Sequence, residues 1–571
     1  MIGILVRLKT AVALIAAGLV AILLGIGFRT VWAPPETLSA SYSAGESTAP
    51  VTVIEPAVFG VHDERVDISV EADGEFLLAV GRAGDVEAWV GEAAHTAISA
   101  VDGGQLQAEI VEGEAEVPNP AGSDLWVSEE TANGSTEHRW IEPAEGEWSI
   151  LLAADGKQPA PATVTVSWPN DSSTPWSMVL FIIGALLAVL GLALAVLARR
   201  GGSDAGGPDA GSRIGHPEAA VAGASAGSAA GQRVRGRAET VAGRLVKPVF
   251  AVAAAGALAA TVLQPARAAE SSAASSEAGT AYPVLLDGQL NRILDSVAAA
   301  VAAGDSAQDA KELTSRVGGS ALTLREANYA VRAENSDVAA PAPVAAEPLR
   351  TAMVSTTASW PRTAVAVTQG KDNQVPQVIV LSQGGPRENY KMVEAVQMLP
   401  GTTFPQVASE AGGTAAVAPD AADGLLHAPK DALELLAANL NGGKNADKVA
   451  KNTFTDQIRS FQDAQVKANE NADITFSRKV APDSVRALKT ADGGAMVFGY
   501  ISNVMSSVPA EPGATVELSD EFATLAGERS TTSGVDVTYG ESVAVYVPPT
   551  GAKEPVSVIG VAQDLVDAKI K

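Results

Sequence analysis

The stretch WSMVLFIIGALLAVLGLALAVLARR, residues 176–200, decides how the rest of the chain is divided. From Met178 to Ala198 it carries no charge and consists almost wholly of Leu, Ile, Val, Ala and Gly. A helix of about 20 such residues, rising about 1.5 Å each, matches the hydrocarbon thickness of a bilayer. Trp176 precedes the run at the level where interfacial Trp is favoured, and Arg199 and Arg200 close it. Core helices of soluble proteins rarely stay uncharged this long. Residues 177–198 therefore predict a transmembrane helix, and residues 10–28, between Lys9 and Arg29, predict another.

A third apolar run, 248–265, is Ala-rich and weaker. Arg233, Arg235, Arg237, Arg244 and Lys247 lie upstream and Ala266-Arg267-Ala268 downstream. A basic stretch, an apolar core and an A-x-A end form the signal-peptide pattern. The segment reads as a third transmembrane helix, as an internal signal-like segment cleaved after Ala268, or as an Ala-rich helix that does not insert. Basic residues collect on the cytoplasmic side of spans. Residues 199–247 hold eight Lys or Arg, whereas 33–176 hold four bases against twenty-six acids. The sign bias predicts a cytoplasmic N-terminus (1–9), a cytoplasmic basic linker (199–247), and extracytoplasmic regions at 33–175 and 269–571. The expectation is a multi-pass plasma-membrane protein of the cell envelope.

Composition narrows the chemistry. The 571 residues carry a net charge of −26, which argues against a general nucleic-acid binder. There is no Cys, so disulfides, thiolate metal sites and cysteine nucleophiles are excluded. Aromatics make up 5%, so cores must be built largely from Ala, Val and Leu. The linker 199–247 is rich in Gly, Ala and Ser and reads as disordered by composition. Its Gly223-Ala224-Ser225-Ala226-Gly227 matches G-x-S-x-G but lacks the flanking strand and helix that a nucleophile elbow needs.

Within 33–175, apolar residues alternate at period two: Val66, Ile68, Val70; Phe76, Leu78, Val80; Trp148, Ile150, Leu152; Val164, Val166, Trp168. Asp73-Gly74, Ala83-Gly84, Asp102-Gly103-Gly104, Asn133-Gly134 and Asp155-Gly156 supply turns. Eight or nine short strands without a helix predict an antiparallel β-sandwich. Glu109, Glu112, Glu114 and Glu116 form the densest acidic cluster, and a solvated surface accounts for it. His62, His95 and His138 stand alone. No catalytic, cofactor-binding or metal-binding residue is assigned.

Beyond residue 280 the period changes. Leu286, Leu290, Ile293, Leu294 and Val297 share a helical face, and helices at 308–317 and 324–333 follow. Strands are expected at 351–357, 363–369, 376–382 and 389–398. Helices at 432–440 and 447–466 then precede strands at 473–480, 485–490, 494–502, 513–519 and 541–547. The end, 556–569, reads as a strand passing into a short helix. Two successive α+β units result, 269–420 and 425–571. Tyr329, Trp360, Tyr390 and Tyr500 are read as core packing rather than stacking faces, and His427 as a residue at a helix start.

The stretch Val301-Ala302-Ala303-Gly304-Asp305 leading to Leu313 and Arg316 resembles the opening of NTF2-like (cystatin-like) α+β domains. Trp360-Pro361-Arg362 through Leu399-Pro400-Gly401 resembles regions of exported, multi-span actinobacterial membrane proteins. The first resemblance implies a pocket between helix and sheet without naming its ligand. The expected function is a non-enzymatic, membrane-anchored envelope protein whose partners are the lipid bilayer and an envelope protein or cell-wall material. The alternatives are a pocket that binds a lipid or wall precursor, and an unrecognised envelope hydrolase. No cofactor is expected.

Overall fold

The computed structural model describes residues 2–200 and 282–571, apart from 44, 46–47, 62–64, 162, 408–412, 444 and 446. Two compact units emerge: one contains the two long apolar helices, and the other contains residues 34–173 together with the C-terminal domain.

The apolar helices are α1 (Ile2–Thr30) and, after the first domain, α4 (Pro175–Arg200). They pack antiparallel along two rows of small residues spaced seven apart, Ala11, Gly18 and Gly25 against Ser177, Gly184 and Gly191. A Cβ on Gly18 would lie 2.6 Å from the Gly184 carbonyl oxygen, and one on Gly191 would lie 2.9 Å from that of Ala11. The backbones approach this closely only because side chains are missing at the seam, the packing used between helices in lipid. The large side chains point away. Leu23 is 64% exposed and Leu186 65%.

These two are the only helices among the described residues long and apolar enough to cross a membrane. The expected multi-pass plasma-membrane topology, with three spans and two extracytoplasmic regions, is therefore not supported. Segment 248–265, the junction after Ala268, the linker beyond Arg200 and the G-x-S-x-G match lie outside the described residues.

Between the helices run β1 (Thr37–Ser43), β2 (Val51–Ile54), the short α2 (Pro56–Phe59), β3 (Val66–Arg82), α3 (Ala83–Val90), β4 (His95–Asp102), β5 (Gln105–Val111), β6 (Ser128–Trp140), β7 (Trp148–Ala153) and β8 (Thr163–Pro169). The strand count agrees with the alternation, but the expected β-sandwich is wrong. β3 is 17 residues long and passes through Asp73-Gly74 with a register shift between Glu71 and Glu75. Its first half pairs with β8 and its second half with β7. The order β3-β7-β2-β4-β5-β1-β8 thus returns to β3, a seven-stranded barrel with β6 added outside. A bulged, over-long strand can serve two neighbours in this way, and closure removes free edges.

Ile54, Ile68, Phe76, Ile98, Ile150, Val166 and Trp168 fill the barrel. β7 is buried at every residue, because Leu151 and Ala153 face outward beneath α3 and the 117–126 loop. Ala83-Gly84 opens that helix rather than making a turn.

The C-terminal domain comprises α5 (Asp287–Ala307), a 3-10 turn at Ala310–Leu313, α6 (Gly319–Glu334), β9 (Leu349–Val354), β10 (Arg362–Thr368), β11 (Gln377–Gln383), β12 (Lys391–Met398), α7 (Pro429–Leu440), α8 (Thr453–Ala468), β13 (Ala472–Val480), β14 (Arg486–Lys489), β15 (Ala495–Pro509), β16 (Val516–Glu517), α9 (Asp520–Ala526), β17 (Ser530–Thr531), β18 (Val535–Val547) and β19 (Ser557–Ile570). The two expected NTF2-like units do not exist as such. β12 pairs with β19 at Gln397↔Val561 and Met398↔Gly560, which joins both halves into one nine-stranded sheet. Apolar side chains of the two halves, among them Val365, Val380 and Val396 with Leu488, Met496 and Phe498, share one core. α5 and α6 cover the first half with Leu290, Ile293, Leu294 and Tyr329. α7 and α8 cover the second with Leu433, Leu436, Phe454 and Ile458. Arg478 and Glu541, both wholly buried, are joined by hydrogen bonds of 2.9–3.0 Å across the second half.

Glu394 on β12 is also wholly buried, and neither carboxylate oxygen has a close hydrogen-bond partner. Burial pushes its carboxyl up to about 8, while Arg486 and the Gly499 backbone N–H pull weakly the other way. A carboxyl raised in the folded state holds its proton there after the unfolded chain has lost it, so stability falls with rising pH between the two values. Glu394→Gln should raise the melting temperature at pH 8 and change it little at pH 5. The gap should grow by roughly 1.4 kcal/mol per pH unit across that window in thermal denaturation.

Candidate functional site

The most heavily built polar region lies where the C-terminal domain meets the barrel. α3 ends at Gly91, in the left-handed region at φ 54°. The last carbonyls of a helix lack intrahelical partners. Those of Trp89 and Val90 accept hydrogen bonds of 2.8 Å from the Arg387 guanidinium, which also lies 5.5 Å from the Trp89 ring centroid. A cation at a helix C-terminus is further favoured by the helix dipole. Asp85, in the first turn of the same helix, takes Arg362 at 2.5 Å in a pair buried on both sides. The Arg362 guanidinium lies over Trp360 at 4.0 Å, and Trp360 packs on the outer apolar cluster of the barrel.

The loop before β6 receives the second half of the contact. Asp124 accepts from Arg316 at 2.6 Å and from the Tyr390 backbone N–H at 2.8 Å, and its own N–H donates to Asn389. Gln289, in the first turn of α5, accepts from the Leu286 N–H and donates to the Asp124 and Leu125 carbonyls at 3.0 Å. Arg292 donates to the Trp126 carbonyl. In these contacts four arginines and Gln289 of one domain meet two aspartates and five backbone carbonyls of the other.

A second feature is a cleft of about 370 Å³ in the C-terminal domain, between α6, the 338–342 strap, β11, β12 and β19. Arg325 on α6 is paired with Asp305 and donates to the Ala342 carbonyl at 2.8 Å. Asn328, one turn on, donates to the Ala339 carbonyl and to Asp564, at 3.0 and 3.1 Å. These bonds hold the strap. The Asn328 Oδ1 and the Gln377 Oε1 have no partner although both residues are buried and line the cleft. Burial, with Glu521 adding to it, raises the Asp564 carboxyl above its ordinary range, and the Leu565 N–H and Asn328 oppose the shift.

The residues weighed in the sequence are not brought together. His62 is not described. His95 on β4 bonds the Ala93 carbonyl at 2.8 Å, and His138 on β6 lies 3.5 Å from Glu130. Glu109, Glu112, Glu114 and Glu116 are exposed. No group of three or more His, Asp or Glu is placed to hold a metal among the described residues. Tyr329 and Tyr390 sit in the core beneath α5 and α6, whereas Trp360 packs on the other domain. Asp85, Asp124, Arg316, Arg362 and Arg387 carry no sequence pattern that sets them apart.

Residues 281–570 match the family model described as "Domain of unknown function (DUF8094)". The match spans just over half of the chain, which therefore belongs to the DUF8094 family. No curated protein and no solved structure matches the chain.

Removing one member of a buried ion pair strands the other. Asp85→Ala should cost roughly 3–5 kcal/mol in denaturant unfolding of the intact chain. Asp67→Ala breaks only the surface pairs of Asp67 with Arg65 and Arg139 and should cost less than about 1 kcal/mol.

Proposed function

We propose that this protein is a membrane-anchored binding protein in which the barrel and the DUF8094 domain work as one body. The observation that carries the reading is the α1–α4 pair, with small residues at the seam and large apolar residues outward over both helices. In water so much contiguous apolar surface would be costly, and lipid removes that cost. The polar part is built for contact rather than for a recognised reaction, with buried domain docking and a small cleft whose walls mix polar and apolar side chains. The buried arginine contacts require barrel and C-terminal domain to share one compartment, which a chain crossing the bilayer only at α1 and α4 would not allow.

Two measurements test this. The full chain should float with phospholipid vesicles and resist carbonate extraction. Gly184→Leu should open the helix seam and lower the yield of detergent-stable protein. A full chain that is soluble without detergent contradicts the anchor. The chain has no Cys, so single cysteines at the exposed Ser135 and Ser533 report compartment through an impermeant maleimide. Both should label or both should be protected, and a split result contradicts the single body.

A further inference from the structure

We infer that β13 is the contact strand of a homodimer, pairing antiparallel with the β13 of a second copy about a two-fold axis at Thr475. Among the described residues β13 ends the nine-stranded sheet and pairs on one side only, with β15. In an antiparallel ladder, successive residues turn their N–H and C=O groups to opposite sides. Ala481 donates to the Tyr500 carbonyl and the Asn471 carbonyl accepts from Ala510, so odd-numbered residues bond β15 and even-numbered ones face the open edge. Two even positions are already closed. The Asn441 side chain accepts from the Arg478 N–H at 2.8 Å and donates to the Arg478 carbonyl at 3.3 Å, as a neighbouring strand would. The Ala472 N–H donates to the Asn469 carbonyl. Between these two lie Ile474 and Phe476, whose outward N–H and C=O groups meet no other strand. Such an open edge is a template for another chain.

A second copy fits this gap because the strand is complementary to itself there. Antiparallel pairing about Thr475 sets Ile474 opposite the partner's Phe476, and Phe476 opposite the partner's Ile474. The two residues of each such pair exchange both N–H···O bonds, and aromatic against β-branched is a favoured cross-strand combination. On the other face Thr475 meets the partner's Thr475, also a favoured pair, and Asp473 lies diagonal to the partner's Lys479, opposite in sign. Asp473, Thr475, Ser477 and Lys479 are all exposed. The ladder stops where Asn441 holds Arg478, a bond that a longer foreign strand would have to displace. An independent observation marks the same edge. Among the described residues of the C-terminal domain, the exposed large apolar side chains are Leu349, Phe461 and Val466. The last two lie on α8, which only residues 469–471 separate from β13. The contact is isologous, as a two-fold dimer requires.

The test uses the full chain in detergent, with sedimentation equilibrium and with cross-linking of variants of the Cys-free chain. The unaltered chain should be dimeric at micromolar concentration. Thr475→Cys should form an intermolecular disulfide on mild oxidation, because the two thiols face each other across a non-hydrogen-bonded pair with Cα atoms about 4.5 Å apart. Ser477→Cys should not, since its opposite number is Asp473 of the second copy. The double variant Asp473→Cys with Ser477→Cys should cross-link again. Thr475→Lys sets like charges opposite each other at an exposed position and should weaken the dimer by about tenfold or more. Asp473→Lys should weaken it as well, and adding Lys479→Asp to that variant should restore it. A monomeric chain, or a dimer that ignores Thr475→Lys and does not cross-link through Thr475→Cys, overturns the proposal; the second result assigns the contact to another surface, such as the apolar helices. Vesicle flotation of the same preparations reports the anchor separately, so loss of one reading does not mimic loss of the other.

Discussion

The arrangement of the large unit depends on guanidinium groups satisfying backbone carbonyls across a domain boundary. Arg387 completes the C-terminus of α3, and Arg292 and Gln289 do the same for the loop carbonyls of Asp124, Leu125 and Trp126. Withdrawing the C-terminal domain would leave those carbonyls to water and would leave Asp85 and Asp124 without their counter-charges. The barrel would also expose the apolar cluster on which Trp360 packs. Buried polar groups tolerate little misfit, because an unpaired one costs as much as several good contacts supply. The docking is therefore specific in register as well as favourable in energy.

That constraint bears on the proposed membrane anchoring. The barrel lies between α1 and α4 in the chain, and the DUF8094 domain follows α4. Any arrangement that leaves the two domains on opposite faces of a bilayer is incompatible with their buried contact. The helix pair is built on a different principle. Its contacts are dispersion between close backbones, with glycine at Gly18, Gly184 and Gly191 setting the distance.

Much of the local structure was legible. Period-two alternation marks β3, β7 and β8, and the helical face of Leu286 to Val297 marks α5. Closure of the barrel was not legible, because it depends on β8 returning to the first half of β3, almost a hundred residues earlier. The joining of both C-terminal halves depends on two residue pairs between β12 and β19. The end of β19 reads as helix in isolation, with Ala562, Gln563, Leu565 and Ala568, but is held as strand against β18. Tertiary pairing overrides such local preference. The seven-residue spacing of Gly18 with Gly25 and of Gly184 with Gly191 was visible in the apolar runs and is the one signal of helix pairing they carried. The cleft is invisible to sequence, because Asn328, Gln377 and Asp564 meet only when α6, β11 and β19 assemble.

The measurement that bears most directly on the central claim is differential scanning calorimetry of the intact chain in detergent. Barrel and C-terminal domain should unfold in one cooperative transition, which should divide in two when Asp85 and Asp124 are both replaced by Ala. Two separate transitions in the unaltered chain would contradict the account.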